Sequence, residues 1–264
     1  LLSYKKKSTI FFVILKLQHL KQMRLVLDIG NTLIKSYVFE QEKILEFTTD
    51  SKEKWKESLQ AILNKFPQLK KAIVSDVNTS FSEELKQILI PIEVLYCSTA
   101  LKLPFKTLYN PEKQLGADRV ALIASACLNY PGQNVLVIDL GSCITHDFID
   151  SSGIHHGGGI SPGLKMRYSS MNAYSGKLPH LDFEEPKSPV GTNTNLAMHS
   201  GVYYGIINEL EGIISWHRKK IQKLTVILTG GDAEMLPKPF KNSIFAHSNF
   251  LAKGLNHILD MNTF

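Results

Sequence analysis

Three apolar, strand-like runs end in turns that combine glycine with an acid, an amide or a hydroxyl: Asp28-Ile29-Gly30-Asn31-Thr32, Asp139-Leu140-Gly141-Ser142 and Leu228-Thr229-Gly230-Gly231-Asp232. Glycine lets the backbone approach a phosphate closely, and successive N–H groups with Asn, Ser or Thr side chains donate to its oxygens. A carboxylate at a strand end suits the hydrated magnesium that accompanies a nucleotide. A single turn of this kind is equally explained by an Asp or Asn satisfying its own backbone. Three of them, each at the end of an apolar strand, point to a nucleotide. Neither GxxxxGK[ST] nor GxGxxG occurs, so this is not a P-loop or Rossmann pattern.

The turns need strands to carry them. Arg24 to Ile29, Ile34 to Phe39 and Ile44 to Thr48 predict an antiparallel three-stranded start. Trp55, Leu59, Ile62, Leu63 and Phe66 recur at helical spacing up to Pro67, Ala72 to Val74 reads as a short buried strand, Ser80 or Ser82 caps a helix from Glu83 to Leu89, and Ile92 to Leu95 is the next strand. The first half is therefore β-β-β-α-β-α-β. The second half echoes it: a helix from Ala117 to Leu128, strands at Val135 to Ile138 and Ile144 to Ile149, a helix from Leu164 to Ala173, a long irregular loop from Ser175 to Thr192, a helix from Thr194 to His217, a strand at Leu224 to Leu228 and a helix from Leu251 to Leu259. Gly157 to Gly163 is expected to turn the chain. Gly201 and Gly205 are expected to mark close packing against a neighbouring backbone, since glycine inside a helix otherwise costs roughly 1 kcal/mol.

With 264 residues, the chain suffices for one large domain or two smaller ones. Hydrophobic residues at 44%, charged residues at 20% and a mean hydropathy of -0.05 argue against disorder and against an integral membrane protein. The longest apolar run, Ile10 to Leu15, is far too short to span a bilayer. Of the net charge of +6, five come from Lys5, Lys6, Lys7, Lys16 and Lys21 in a segment without acids, so the remainder is nearly neutral and lacks the footprint of a nucleic-acid binder. Residues 1–22 resemble a secretory signal only in outline, because no small-residue cleavage site follows. They read as a dispensable or non-native extension, with the domain proper starting at Met23. Cys97, Cys127 and Cys143 form no CxxC pair, which fits a cytoplasmic address and neither a disulfide framework nor a structural zinc site.

DIGNT at 28–32, GADR at 116–119, IDLGSCITHD at 138–147, GGGISPG at 157–163, GTNTNLAM at 191–198 and LTGGDA at 228–233 occur in the order found in type III pantothenate kinases, and the chain from Met23 onwards resembles that family. The resemblance implies an α/β fold of two duplicated ribonuclease-H-like, actin-like ATPase domains (23–115 and 116–264) with a nucleotide cleft between them. It implies ATP-dependent phosphorylation of pantothenate with Mg2+, opening coenzyme A synthesis. Asp118 becomes the general base. Gly116, Ala117, Asp118, Arg119, Tyr109 and Thr194 become the pantothenate contacts. Asp28, Ile29, Gly30, Asn31, Thr32, Leu33, Ile34, Lys35 and Ser142 become the nucleotide contacts, Ser142 standing where the family usually has threonine. Asp139 becomes the ligand of a monovalent cation, K+ or NH4+. A homodimer involving the helix of Gly201 and Gly205 is also implied.

Each residue has a plainer alternative. Asp118 sits in the first turn of a helix, where an acid favours the macrodipole. Arg119 suits a surface ion pair, Tyr109 a core position, Thr194 an N-cap and Asp139 a structural turn. His155-His156 looks like a metal pair, yet neighbours in sequence point apart and no third ligand is suitably spaced. His146, inside a strand, has no explanation in the sequence. A regulator acting through partner binding and a phosphohydrolase using water are the competing functions on the same fold.

Overall fold

The computed structural model describes residues 23–76, 82–233, 244–245 and 249–263. The expected extension over 1–22 and the Ser80 cap lie outside the described residues, as does the side chain of Ser82. The chain divides into two compact units. The first runs to Lys102 and adds Gly116–Ala121 and the chain from Leu255; the second comprises Leu103–Leu115 and Leu122–Gly254.

The first unit contains β1 (Met23–Ile29), β2 (Leu33–Glu40), β3 (Lys43–Ser51), α1 (Trp55–Lys65), β4 (Lys71–Asp76), α2 (Ser82–Ile88) and β5 (Glu93–Tyr96), in the expected order. Its sheet is β3-β2-β1-β4-β5, antiparallel from β1 through β3 and parallel from β1 through β5. Leu25, Leu27 and Ile29 of β1 pack with Trp55, Leu59 and Ile62 of α1 and with Leu85 and Leu89. Val26, on the other face of β1, is fully buried too. A strand apolar on both faces is what a parallel pairing in a sheet centre demands.

Preceding the second sheet in the chain are β6 (Lys106–Thr107), a 3-10 turn (Glu112–Gln114) and α3 (Ala117–Asn129). Then come β7 (Asn134–Leu140), β8 (Cys143–Ile149), β9 (Ile154–Pro162), α4 (Leu164–Tyr174), α5 (Thr194–Lys220), β10 (Leu224–Thr229), β11 (Ile244–Phe245) and α6 (Phe250–Met261). The sheet order β9-β8-β7-β10-β11 repeats that of the first unit, with the same alternation of antiparallel and parallel pairs, and β6 is added beyond β9. The core of this unit gathers Leu136, Ile138 and Leu140 with Leu164, Tyr168 and the Val202, Ile206, Leu210, Ile214 stripe of α5.

The compact units interleave in sequence rather than parting at one cut after residue 115. Residues 103–115 belong with the second unit because Lys106 and Thr107 pair with Ile154 and His155. The part of α6 from Leu255 belongs with the first because Asp260 pairs with Arg24, and Asn256 donates to the Gln41 carbonyl at 2.7 Å.

Two expectations fail. Gly157 to Gly163 does not turn the chain: most of it forms β9, paired antiparallel to β8. The glycines are there for close approach. A Cβ on Gly158 would lie 1.6 Å from the His146 carbonyl oxygen, and one on Gly159 would lie 2.4 Å from His146 Nε2. The imidazole of His146 occupies the space that Gly159 leaves, with its ring edge-on to His217, which accounts for a histidine at that strand position. Among the described residues Gly201 and Gly205 pack against no neighbouring backbone. A Cβ on Gly201 would meet nothing within 4 Å, and one on Gly205 only the Arg167 side chain.

Substituting Gly158→Ala is expected to cost about 3 kcal/mol or more in unfolding free energy by forcing β8 and β9 apart. Gly176→Ala, where a Cβ meets nothing, should change it by less than about 1 kcal/mol. Denaturant titration of the two variants checks both.

Candidate active site

β1 and β7 share one burial pattern: four buried residues, a partly buried aspartate, then a buried apolar residue. Asp28 and Asp139 thus hold the same place in the two repeats, on the sheet face opposite the apolar core residues that flank them. Each strand then enters its glycine turn. The Gly30 amide donates to the Leu33 carbonyl at 3.0 Å, leaving Asn31 and Thr32 exposed at the tip. The Gly141 amide donates to the Cys143 carbonyl at 3.0 Å, leaving Ser142 exposed.

In the first unit, register places Lys35 and Ser75 beside Asp28 on the neighbouring strands. Burial raises the Asp28 carboxyl to about 6; Lys35 opposes this and the charge of Asp118 adds to it. Asp118, expected as the base, and Asp28, expected at the nucleotide, therefore share one neighbourhood although they are 90 residues apart in sequence. Asp118 lies in the first turn of α3, where its Oδ1 accepts the Arg119 amide at 2.7 Å. A Cβ on Gly116 would lie 2.6 Å from that oxygen, so the glycine of the GADR segment is what admits the carboxylate in this orientation. Arg119 is only 3% exposed, which rules out the surface ion pair.

Sequence reasoning missed Cys97 and Ser75. Cys97, just past the end of β5, donates from Sγ to the Ala117 carbonyl at 3.5 Å. Its thiol is pushed up to about 12 by burial, with Asp118 and Asp28 adding to the shift. The Ser75 hydroxyl is fully buried beside Asp28. Both sit at the carboxyl ends of parallel strands, where sheets of this class place their sites. No motif marks them.

In the second unit the other two turns meet. Gly230 adopts φ +98, and a Cβ there would lie 2.4 Å from the Leu140 carbonyl oxygen, which accepts the Asp232 amide at 3.0 Å. Gly163, at the start of α4, closes on the same turn: a Cβ would lie 2.2 Å from the Gly141 oxygen. Asp139 stands beside Thr145 and Thr229 on the adjoining strands. Tyr109 is half-buried, its ring 6.4 Å from and nearly parallel to that of His155. Thr194 is not the N-cap of α5; Asn193 is, accepting the Leu196 amide at 2.9 Å. Thr194 is exposed and lines an open polar cavity with His180, Asp182, Glu184 and His199. The histidines of the 155–156 pair have separate partners, Asp147 for the first and Asp150 for the second. Among the described residues no group of three or more His, Cys, Asp or Glu is placed to hold a metal ion. Magnesium, which typically takes one or two carboxylates and completes its shell with phosphate oxygens and water, needs no such cage. The crowding of Asp28 by Asp118 is a setting that a divalent cation relieves.

The raised Asp28 carboxyl has a cost in stability. Its folded value lies above the ordinary 3.8, so its contribution is favourable below that pH and is lost as pH rises through about 6. Asp28→Asn should therefore stabilise the magnesium-free protein by up to about 3 kcal/mol near pH 8, the gain vanishing towards pH 4. Unfolding titrations at several pH values check it.

A family model described as type III pantothenate kinase matches residues 24–216. The type III pantothenate kinase of Christiangramia forsetii is 42% identical over 241 residues, which span 91% of this chain and 99% of that protein. Among solved structures, one described as a conserved Baf family transcriptional activator from Campylobacter jejuni superposes with TM-score 0.60 at 23% identity, covering 90% of this chain and 98% of that one. A Listeria monocytogenes protein assigned as an N-acetylmannosamine kinase gives 0.51 at 11% identity, covering 91% and 98%. These structural likenesses are of fold, that of the actin-like and sugar-kinase ATPases, and the repeated sheet order agrees with it. With the family model covering most of its length and a relative matched nearly end to end, the chain belongs to the type III pantothenate kinase family.

Proposed function

We propose that this protein transfers the terminal phosphoryl group of ATP to the hydroxyl of pantothenate, giving 4'-phosphopantothenate for coenzyme A synthesis. The observation that carries the reading is the proximity of Asp28, near the end of β1, and Asp118, in the first turn of α3, within a chain of this family. Phosphoryl transfer asks for positioning, charge neutralisation and a carboxylate to accept the hydroxyl proton. Asp118 fits the last role, its orientation held by the Arg119 amide and admitted by Gly116. Asp28 would hold magnesium, which when bound neutralises phosphate charge. Asn31, Thr32 and Ser142, exposed on their turns, would donate to phosphate oxygens. Arg119, Tyr109 and Thr194 are proposed for the acceptor, Arg119 through its affinity for a carboxylate.

Asp139 is proposed for the monovalent cation, with the oxygens of Thr145 and Thr229 on the flanking strands as neighbours of suitable hardness. A kinase drawing on ATP works where ATP is held, so the proposal includes a cytoplasmic address. Among the described residues no helix is long and apolar enough to cross a membrane. The regulator reading loses ground because Asp118 and Gly30, whose loss would favour it, are both present.

The proposal extends to a homodimer formed through α5. Two glycines inside a helix, one with open space and the other near only an arginine side chain, are unexplained by packing within the chain; close approach of a second copy would explain them. Gly201→Leu should then shift the protein towards monomer in sedimentation velocity, whereas an unchanged sedimentation coefficient would sink the dimer face. For the reaction itself, ADP release should require pantothenate and be much faster in potassium or ammonium than in sodium. Asp118→Asn should lower kcat about a thousandfold with the KM for ATP nearly unchanged. Hydrolysis indifferent to pantothenate would instead identify a phosphohydrolase.

A further inference from the structure

Behind Tyr109 the second unit holds a chain of polar side chains that the phosphoryl-transfer chemistry does not use. His155 is fully buried and Asp147 is 2% exposed. His155 Nε2 lies 2.8 Å from Asp147 Oδ1, and His155 Nδ1 lies 2.8 Å from Thr107 Oγ1. Thr107 Oγ1 in turn accepts the Tyr109 amide at 3.0 Å. Only one neutral arrangement satisfies every donor. Nε2–H donates to the carboxylate, Nδ1 is left as acceptor, the Thr107 hydroxyl donates to Nδ1, and its oxygen takes the Tyr109 N–H. The chain therefore has a direction, from the Tyr109 backbone inward to a buried acid.

We propose that Asp147, His155 and Thr107 are positioning residues that set the placement of Tyr109 in the acceptor pocket; this rests on the reading of Tyr109 given above. Holding the sheet edge does not need them. β6 is already tied to β9 by backbone bonds, Lys106 N to Gly153 O at 3.0 Å and Leu108 N to His155 O at 2.9 Å. A buried acid and imidazole are a poor way to add stability, since apolar residues of similar volume usually do as well or better. What the polar chain adds is an anchor at Tyr109, beyond the last strand bond, together with a flat imidazole beside the Tyr109 ring at an interplanar angle of 14°. Phe105 closes the other side, edge-on to the same imidazole. Tyr109 is thus held at its backbone by Thr107 and flanked at its ring by His155, which the same chain orients.

The test uses the full-length enzyme. Thr107→Val keeps the shape and removes both hydrogen bonds, while Thr107→Ser restores the hydroxyl. Thr107 is half-buried at the sheet edge, so these variants spare the core where His155→Asn risks misfolding. Expected is a rise of about tenfold or more in the KM for pantothenate in Thr107→Val, recovery in Thr107→Ser, and a KM for ATP within about twofold of wild type. Nitrogen-15 NMR of labelled histidine should find His155 as the Nε2-protonated tautomer. An unchanged KM for pantothenate in Thr107→Val, alongside a raised one in Tyr109→Ala, would overturn the relay and leave the reading of Tyr109 standing. An unchanged value in Tyr109→Ala would overturn both. Equal losses for pantothenate and ATP in Thr107→Val would reduce the chain to a structural role.

Discussion

An ionised carboxylate inside an apolar sheet is unfavourable, and the first unit is arranged around one. β1 is buried on both faces for most of its length, then places Asp28 one residue before its end. Lys35 and Ser75 flank it in register, and Asp118 is close enough to raise its proton affinity further. Such a site is complete only when positive charge is supplied. The magnesium proposed above for Asp28 would do so, and its binding would then offset a cost built into the fold. The same strand with its aspartate recurs in the second unit, where register places Asp139 between Thr145 and Thr229. One backbone plan therefore offers two carboxylates with different neighbours on the adjoining strands.

Much of this was legible before any coordinates. Apolar runs ending in Asp-x-Gly give strands and their turns wherever both faces are buried, because hydrophobic pattern and turn chemistry then agree. The repeat was visible for the same reason. The glycines of β9 misled because glycine ordinarily signals a turn, and the cause of their presence lies on another strand: the His146 carbonyl and imidazole leave no room for a Cβ at Gly158 and Gly159. Cys97 and Ser75 were invisible because they reach the site through strand ends that carry no motif. His155 and His156, adjacent and identical, took opposite fates. The strand alternation sent one into the interior and the other to the surface, and nothing local distinguishes which is which.

The two repeats differ mainly by addition. The first keeps the bare five-stranded plan, while the second adds β6 at its edge and has two helices, α4 and the 27-residue α5, between β9 and β10 where the first has α1 alone. Tyr109 follows the first addition, and Thr194 opens the second. The turns proposed for phosphate belong to what the repeats share, and two of the residues proposed for the acceptor belong to what only one of them has. Recognition of the general part of a reaction by the common core, and of its particular part by insertions, is how one fold serves many acceptors.

The sequence discontinuity of the first unit bears on how the chain is made. Its sheet precedes the second unit in the chain, but Leu255 and the residues after it, which belong to the same unit as that sheet, are translated after the whole of the second unit. Until then Arg24 lacks Asp260, and Asn256 has not reached the Gln41 carbonyl. All of the second unit has been translated by that time. The usual order, in which the N-terminal part completes its fold as it emerges, is thus not open to the first unit, whose Arg24 and Gln41 gain these partners only once the second unit has been translated.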